Sequence, residues 1–229
     1  MSSSDDMVSK LQQLNRDVAI DLWKIHRGEP RGPKLILPTK RDTSSRISEQ
    51  ESKIIFCHHL EQSDWTYSIE TPTTQTYVQS GKSPLSARVD ISLYTDRDVL
   101  TRCANIELKA HNPPIESFRK DLEKLHRENL TGVWFHTLKN TNSSTMPSIF
   151  RKIREAYRKL GSNLGETKPT ILFGFCVLER RHLLEATLRL ESSGMRDLDQ
   201  IDHLFDPHTV ANWNVWTGSS EASAVVQNP

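Results

Sequence analysis

The stretch SARVDISLYTDRDVLTRCANIELKAH, from Ser86 to His111, reads as two short strands joined by a charged turn. From Ala87 to Thr95, Val89, Ile91 and Leu93 alternate with Arg88, Asp90, Ser92 and Tyr94. From Asn105 to His111, Ile106, Leu108 and Ala110 alternate with Asn105, Glu107, Lys109 and His111. Strict alternation gives each strand one apolar and one polar face. In an antiparallel hairpin, opposed residues keep a constant sum of positions. A turn centred between Asp98 and Val99 therefore sets Asp90 across from Glu107, with Lys109 on the same face. Like charges opposed across strands destabilise a sheet, so the two carboxylates call for a cation, which either Lys109 or a metal ion could supply.

A hard divalent ion such as Mg²⁺ takes oxygen ligands at about 2.0–2.1 Å and needs only one or two carboxylates beside water and substrate phosphate. Asp90 and Glu107 suit that role, and the carbonyl of Leu108, between Glu107 and Lys109, could add a third oxygen. The ammonium of Lys109 could hold, and help deprotonate, a water that attacks phosphorus. The layout suits hydrolysis of a phosphodiester.

Asp90, a gap, then Glu107-Leu108-Lys109 within apolar flanks resembles the PD-(D/E)XK nuclease superfamily, the restriction-endonuclease-like fold. The resemblance implies a helix carrying a glutamate, three strands with the acidic pair on the second and third, then a helix, a strand and another helix. It implies a DNA hydrolase, an endonuclease dependent on Mg²⁺ or Mn²⁺, with Asp90, Glu107 and the Leu108 carbonyl holding metal and Lys109 activating water. The chain departs in one detail: Leu85, Ser86 and Val89 stand where some members carry proline. Two other readings stay open. One is a nuclease-like fold that binds nucleic acid or a protein partner without cutting. The other is a structural ion cluster in which Lys109 neutralises Asp90 and Glu107.

The rest of the chain fits an α/β (α+β) protein with a restriction-endonuclease-like core, a central mixed sheet flanked by helices, and an N-terminal helical extension. Val8 to His26 repeats apolar residues at helical spacing, and Gly28 to Pro33 stops it. Lys24 to Arg46 is a basic linker, either solvated or in contact with phosphate. Ile47 to Gln62 forms the next helix, with Ser48 and Glu51 at the spacing of a capping box. Glu51 has a second reading, because helical spacing lines it up with Ile47, Ile54, Ile55 and His58. In the resemblance it takes the place of the helix glutamate that joins the metal site and completes or orients its shell, in preference to Glu49, whose line runs through Lys53 and Phe56.

Trp65 to Thr71 alternates as a strand ended by Pro72, and Thr73 to Leu85 is a polar connector. Ile115 to Leu130 is a helix, Gly132 to Leu138 a buried strand, Pro147 to Leu160 a helix and Thr170 to Leu178 an apolar strand. Arg151, Arg154 and Arg158 share one side of their helix and offer a nucleic-acid contact. A solvated face is the plainer account. His111, on the polar face beyond Lys109, is a further candidate for contact with phosphate. Glu179 to Leu190 mixes charged and apolar residues, Glu191 to Asp206 is acidic, and Asn212 to Trp216 suggests an edge strand. The expected division is 1–46 helix and linker, 47–178 nuclease-like core, 179–217 an extension packed on it, and 218–229 a disordered tail.

Composition sets the outer bounds. The 229 residues are 35% hydrophobic and 26% charged, with 30 Lys and Arg against 29 Asp and Glu, so net charge argues neither for nor against DNA. No apolar run spans a bilayer and no leader pattern opens the chain. The expectation is a protein without a membrane partner in the cytoplasm, or in the nucleus of a eukaryote, with a homodimer or larger complex left open. Cys57, Cys103 and Cys176 lack the spacing of a disulfide framework or a zinc site. The nucleotide-cradling glycine motifs and the hydrolase elbow are missing from the sequence.

Overall fold

The computed structural model describes residues 4–29, 32–39, 47–77, 85–95, 98, 100–142, 144–161, 169–190, 195–206 and 213–218. The elements are α1 (Ser4–Arg27), α2 (Glu49–Leu60), β1 (Thr66–Tyr77), β2 (Leu85–Tyr94), β3 (Arg102–Ala110), α3 (Ile115–Arg127), β4 (Thr131–Leu138), α4 (Thr145–Leu160), β5 (Thr170–Val177), β6 (His182–Arg189), α5 (Met195–Leu204) and β7 (Asn214–Trp216). The strands make one seven-stranded sheet in sequence order, β1 to β7. β1, β2 and β3 run antiparallel, β3, β4 and β5 parallel, and β5, β6 and β7 antiparallel again. The fold is mixed α/β. No helix of the described residues is long and apolar enough to cross a membrane.

Alternation along the strands divides the core into two layers. Ile91, Leu93, Ala104, Ile106, Leu108, Val133 and Phe135 face α1 and α2, meeting Leu11, Val18, Leu22, Trp23, Ile55 and Phe56. Trp134, Ile171, Phe173 and Phe175 face α3, α4 and α5, meeting Phe118, Leu122, Ile149, Ile153 and Ile201. The residues expected as an N-terminal helical extension thus lie in the same apolar layer as the central hairpin. β6 and β7 continue the same sheet. Ser4, Asp5 and Asp6 belong to α1, which begins ahead of the apolar repeat, and the two aspartates favour its positive N-terminal end.

Several elements differ from the sequence expectation for identifiable reasons. β1 does not end at Pro72. It is an edge strand, its register shifts between Pro72 and Thr76, and a proline at a bulge leaves no ladder bond unmade. Glu128 secures this bulge: its carboxylate accepts from the Thr74 N–H at 2.9 Å, the Gln75 N–H at 3.1 Å and Arg102 Nη1 at 3.0 Å. The mixed stretch after β5 contains a full strand, β6, whose Leu184, Ala186 and Leu188 alternate into the second layer, and the acidic stretch contains α5. The inward face of α2 is rotated from the expected line, for Ser52, Lys53, Ile55 and Phe56 are buried while Ile54 is 51% exposed. The centre of the β2–β3 turn, residues 78–84 of the β1–β2 connector, most of the basic linker beyond Thr39 and the tail after Gly218 lie outside the described residues.

Candidate metal centre at the end of the β2–β3 ladder

The β2–β3 register pairs Ile91 with Ile106, Ser92 with Asn105 and Leu93 with Ala104, which is the constant sum read from the sequence. The ladder ends there, one step before Asp90 and Glu107. In place of a further rung, Asp90 Oδ2 accepts the Leu108 N–H at 2.8 Å. The β1–β2 register pairs Ile69 with Ile91 and Thr71 with Val89, so Glu70 stands opposite Asp90. Glu70, Asp90 and Glu107 therefore form a row of carboxylates across three neighbouring strands. Glu70 has a φ of +50°, a left-handed conformation that is uncommon outside glycine and costs backbone strain.

Lysines separate these carboxylates. Lys53 of α2 lies between Glu70 and Asp90, 2.9 Å from Asp90 Oδ1 and paired with Glu70. Lys124 of α3 lies 2.7 Å from Glu107 Oε1 and 2.8 Å from Asp121 Oδ1. Lys109 pairs with Asp121 at 2.7 Å and with Glu49 at 3.4 Å, and donates to the Leu108 carbonyl at 2.9 Å. Two helices on opposite faces of the sheet thus converge where the ladder opens. Five carboxylates, Glu49, Glu70, Asp90, Glu107 and Asp121, meet three ammonium groups, a formal excess of two negative charges with every acid ionised.

Burial raises the cost of that imbalance. The Glu107 side chain is 1% exposed, and desolvation followed by the Asp121 charge pushes its carboxyl well above the usual range, against the pull of Lys124. For Lys109, burial acts to lower the ammonium's pKa, but Asp121, Glu49 and Glu107 outweigh it and hold the group above its ordinary value. Lys109 is therefore a cation as it stands. Asp90 is more accessible than Glu107, at 18% side-chain exposure.

The structure brings Asp90, Glu107, Leu108 and Lys109 together and leaves the other named residues elsewhere. Glu51 completes the capping box: its Oε2 accepts the Ser48 N–H at 2.8 Å and bonds the Ser48 hydroxyl. Its carboxylate is committed to the helix start, and Glu49 is the α2 glutamate that reaches Lys109. The imidazole of His111 lies 2.6 Å from the Ile47 carbonyl, tying the end of β3 to the approach to α2. Arg151 pairs with Glu155 at 3.5 Å and Arg158 with Asp202 at 2.8 Å, while Arg154 Nε is buried without a hydrogen bond. All three lie on α4 and none takes part in the cluster.

Sequence reasoning missed Glu70, Lys53, Asp121 and Lys124. Asp121 was within reach of it, since it lies three residues from the inner-face Phe118, and Lys124 follows Asp121 at the same spacing on the sheet side of α3. Lys53 shares Glu49's helical line. Among the described residues no three His, Cys, Asp or Glu side chains are disposed to hold a metal ion as they stand. Comparison with protein-family models, with curated proteins and with solved structures gives no match.

Proposed function

We propose that this chain is a PD-(D/E)XK-type nuclease, a Mg²⁺- or Mn²⁺-dependent hydrolase of DNA phosphodiester bonds acting as an endonuclease. The observation that carries the reading is the meeting of Asp90 with Glu107-Leu108-Lys109 where the β2–β3 ladder ends, in a cluster two positive charges short of neutrality. The order α2, β1, β2, β3, α3, β4, with β4 parallel to β3, supports it.

The residues present fit a divalent ion by their chemistry: two carboxylates and a main-chain carbonyl are hard oxygen donors, and the missing charge equals that of one such ion. Asp90 and Glu107, with the Leu108 carbonyl, are the groups that hold it in this reading. When bound, the ion supplies Lewis-acid polarisation of the phosphoryl oxygen and a more acidic water. The Leu108 N–H fixes the Asp90 carboxylate, and Asp121 and Glu49 keep Lys109 charged beside the Leu108 carbonyl. From there its ammonium orients water and stabilises charge on the scissile phosphate. Arg151 and Arg158, both more than half exposed, are the α4 groups offered to the DNA backbone.

One observation favours a second reading, a catalytically silent nuclease-like module for nucleic-acid or protein binding. Glu107 is covered by α3, and Lys53 and Lys124 occupy the oxygens that a metal needs. The test is cleavage of supercoiled plasmid and of linear single- and double-stranded DNA with Mg²⁺, Mn²⁺ or EDTA, using wild type, Asp90→Asn and Lys109→Ala. Metal-dependent nicking lost in both variants, with circular dichroism unchanged, is the expected result. DNA binding without cleavage by the wild type under any condition moves the silent module to first place.

A further inference from the structure

Lys124 is held more tightly than charge pairing with one acid requires. Its Nζ lies 2.7 and 2.8 Å from the two Glu107 oxygens, 2.8 Å from Asp121 Oδ1 and 2.8 Å from the Arg88 carbonyl. An ammonium has three hydrogens, so four oxygens exceed its donors, and Glu107 Oε1 is left without a hydrogen bond of its own. The surroundings are those of a bound cation: carboxylates and a main-chain carbonyl gathered around a point charge. Glu107 is 1% exposed, so no counter-ion from solvent shares its oxygens while the lysine stays.

We infer that Lys124 is a tethered cation that holds the Glu107 oxygens against divalent metal, so that metal enters only when this ammonium withdraws. The inference rests on the reading of Glu107 as a metal ligand. Two like charges cannot share one set of oxygens, so ion and ammonium compete. Asp121, three residues away on the same helix, gives the withdrawn ammonium a partner, and Asp121 Oδ2 continues to hold Lys109.

The test is Mn²⁺ titration of the full chain by calorimetry, with melting temperature as a second readout. Lys124→Gln is expected to bind Mn²⁺ at least about tenfold more tightly than wild type, a gain of about 1.4 kcal/mol, and to melt higher when Mn²⁺ is added. Adding Glu107→Gln to that variant removes the gain. A folded Lys124→Gln protein with equal or weaker Mn²⁺ affinity overturns the inference. If Lys124→Gln does not fold, Lys124→Arg decides: it keeps the charge and is expected to bind Mn²⁺ no more tightly than wild type, and tighter binding overturns the inference. The two readings fail separately. Mg²⁺-dependent cleavage by the wild type, with equal Mn²⁺ affinity in both proteins, removes only the role of Lys124. A wild type that never cleaves, beside a Lys124→Gln protein that gains Mn²⁺ binding, upholds that role and removes the active nuclease.

Discussion

A polar side chain sealed in a core must be either neutral or paired, and the second layer of this protein uses both solutions. Around Glu107 the solution is pairing with Lys124. At two histidines it is neutrality: burial lowers His126 to about 4 and His136 to about 3, and each ring keeps a polar contact, with the Tyr157 hydroxyl at 3.1 Å and the His111 carbonyl at 2.5 Å. In the unfolded chain both titrate near the ordinary 6.5. Below that value the unfolded state binds more protons than the folded one, so stability falls with the pH. The window runs from 6.5 down through about 4 for His126 and about 3 for His136. Urea unfolding across that window should show a midpoint that drops steadily. His126→Phe should flatten the drop while lowering stability at neutral pH through the lost Tyr157 contact. A wild-type midpoint unchanged between pH 6.5 and about 4 would contradict the burial of neutral rings.

At the scale of elements, α2 shows why the cap made by one glutamate was legible and the approach of the other to Lys109 was not. Ser48 and Glu51 announce a capping box by spacing alone, and the structure forms it. Glu51 serves the cap, and Glu49, about 200° away around the helix, is the one beside Lys109. The sequence pattern placed Ile54 inward because it is apolar, yet packing buries Lys53 instead, since Glu70 and Asp90 give that ammonium two partners. Periodicity finds the apolar stripe; it does not register a lysine drawn inward by charge. Ser48→Ala should therefore cost about 1 kcal/mol of stability, as loss of a cap does, and Glu51→Ala a similar amount with cleavage retained. Glu49→Ala should leave stability within about 0.5 kcal/mol, because its side chain is 38% exposed, and reduce cleavage through the loosened Lys109. Thermal melts and plasmid nicking on the same three proteins check this, and the reverse ranking of Glu49 and Glu51 would return the site to Glu51.

For the whole molecule, the central hairpin was legible because alternation and a constant register sum are local properties, whereas the membership of α1 and β6 in the core depends on contacts across the chain. α1 carries a helical apolar repeat that is equally consistent with an appended arm, and only the sheet's first layer decides what covers it. β6 mixes His182, Glu185 and Arg189 with its apolar residues, and Glu185 is tolerated inside because Arg16 of α1 reaches it at 2.9 Å. The first helix and the last strands are thus mutually dependent. Trp23 of α1, 1% exposed, stacks on Trp216 of β7 with ring centroids 5.6 Å apart, and Arg16 sits 5.9 Å over the same Trp216 ring. An appended helix would tolerate loss of that ring, while a helix built into the core would not. Trp23→Ala should cost about 3–5 kcal/mol, the range for emptying a buried aromatic site, and lower the melting temperature in a single transition. A cost below about 1 kcal/mol, or a separate early transition for α1, would make the helix an independent extension of the sheet.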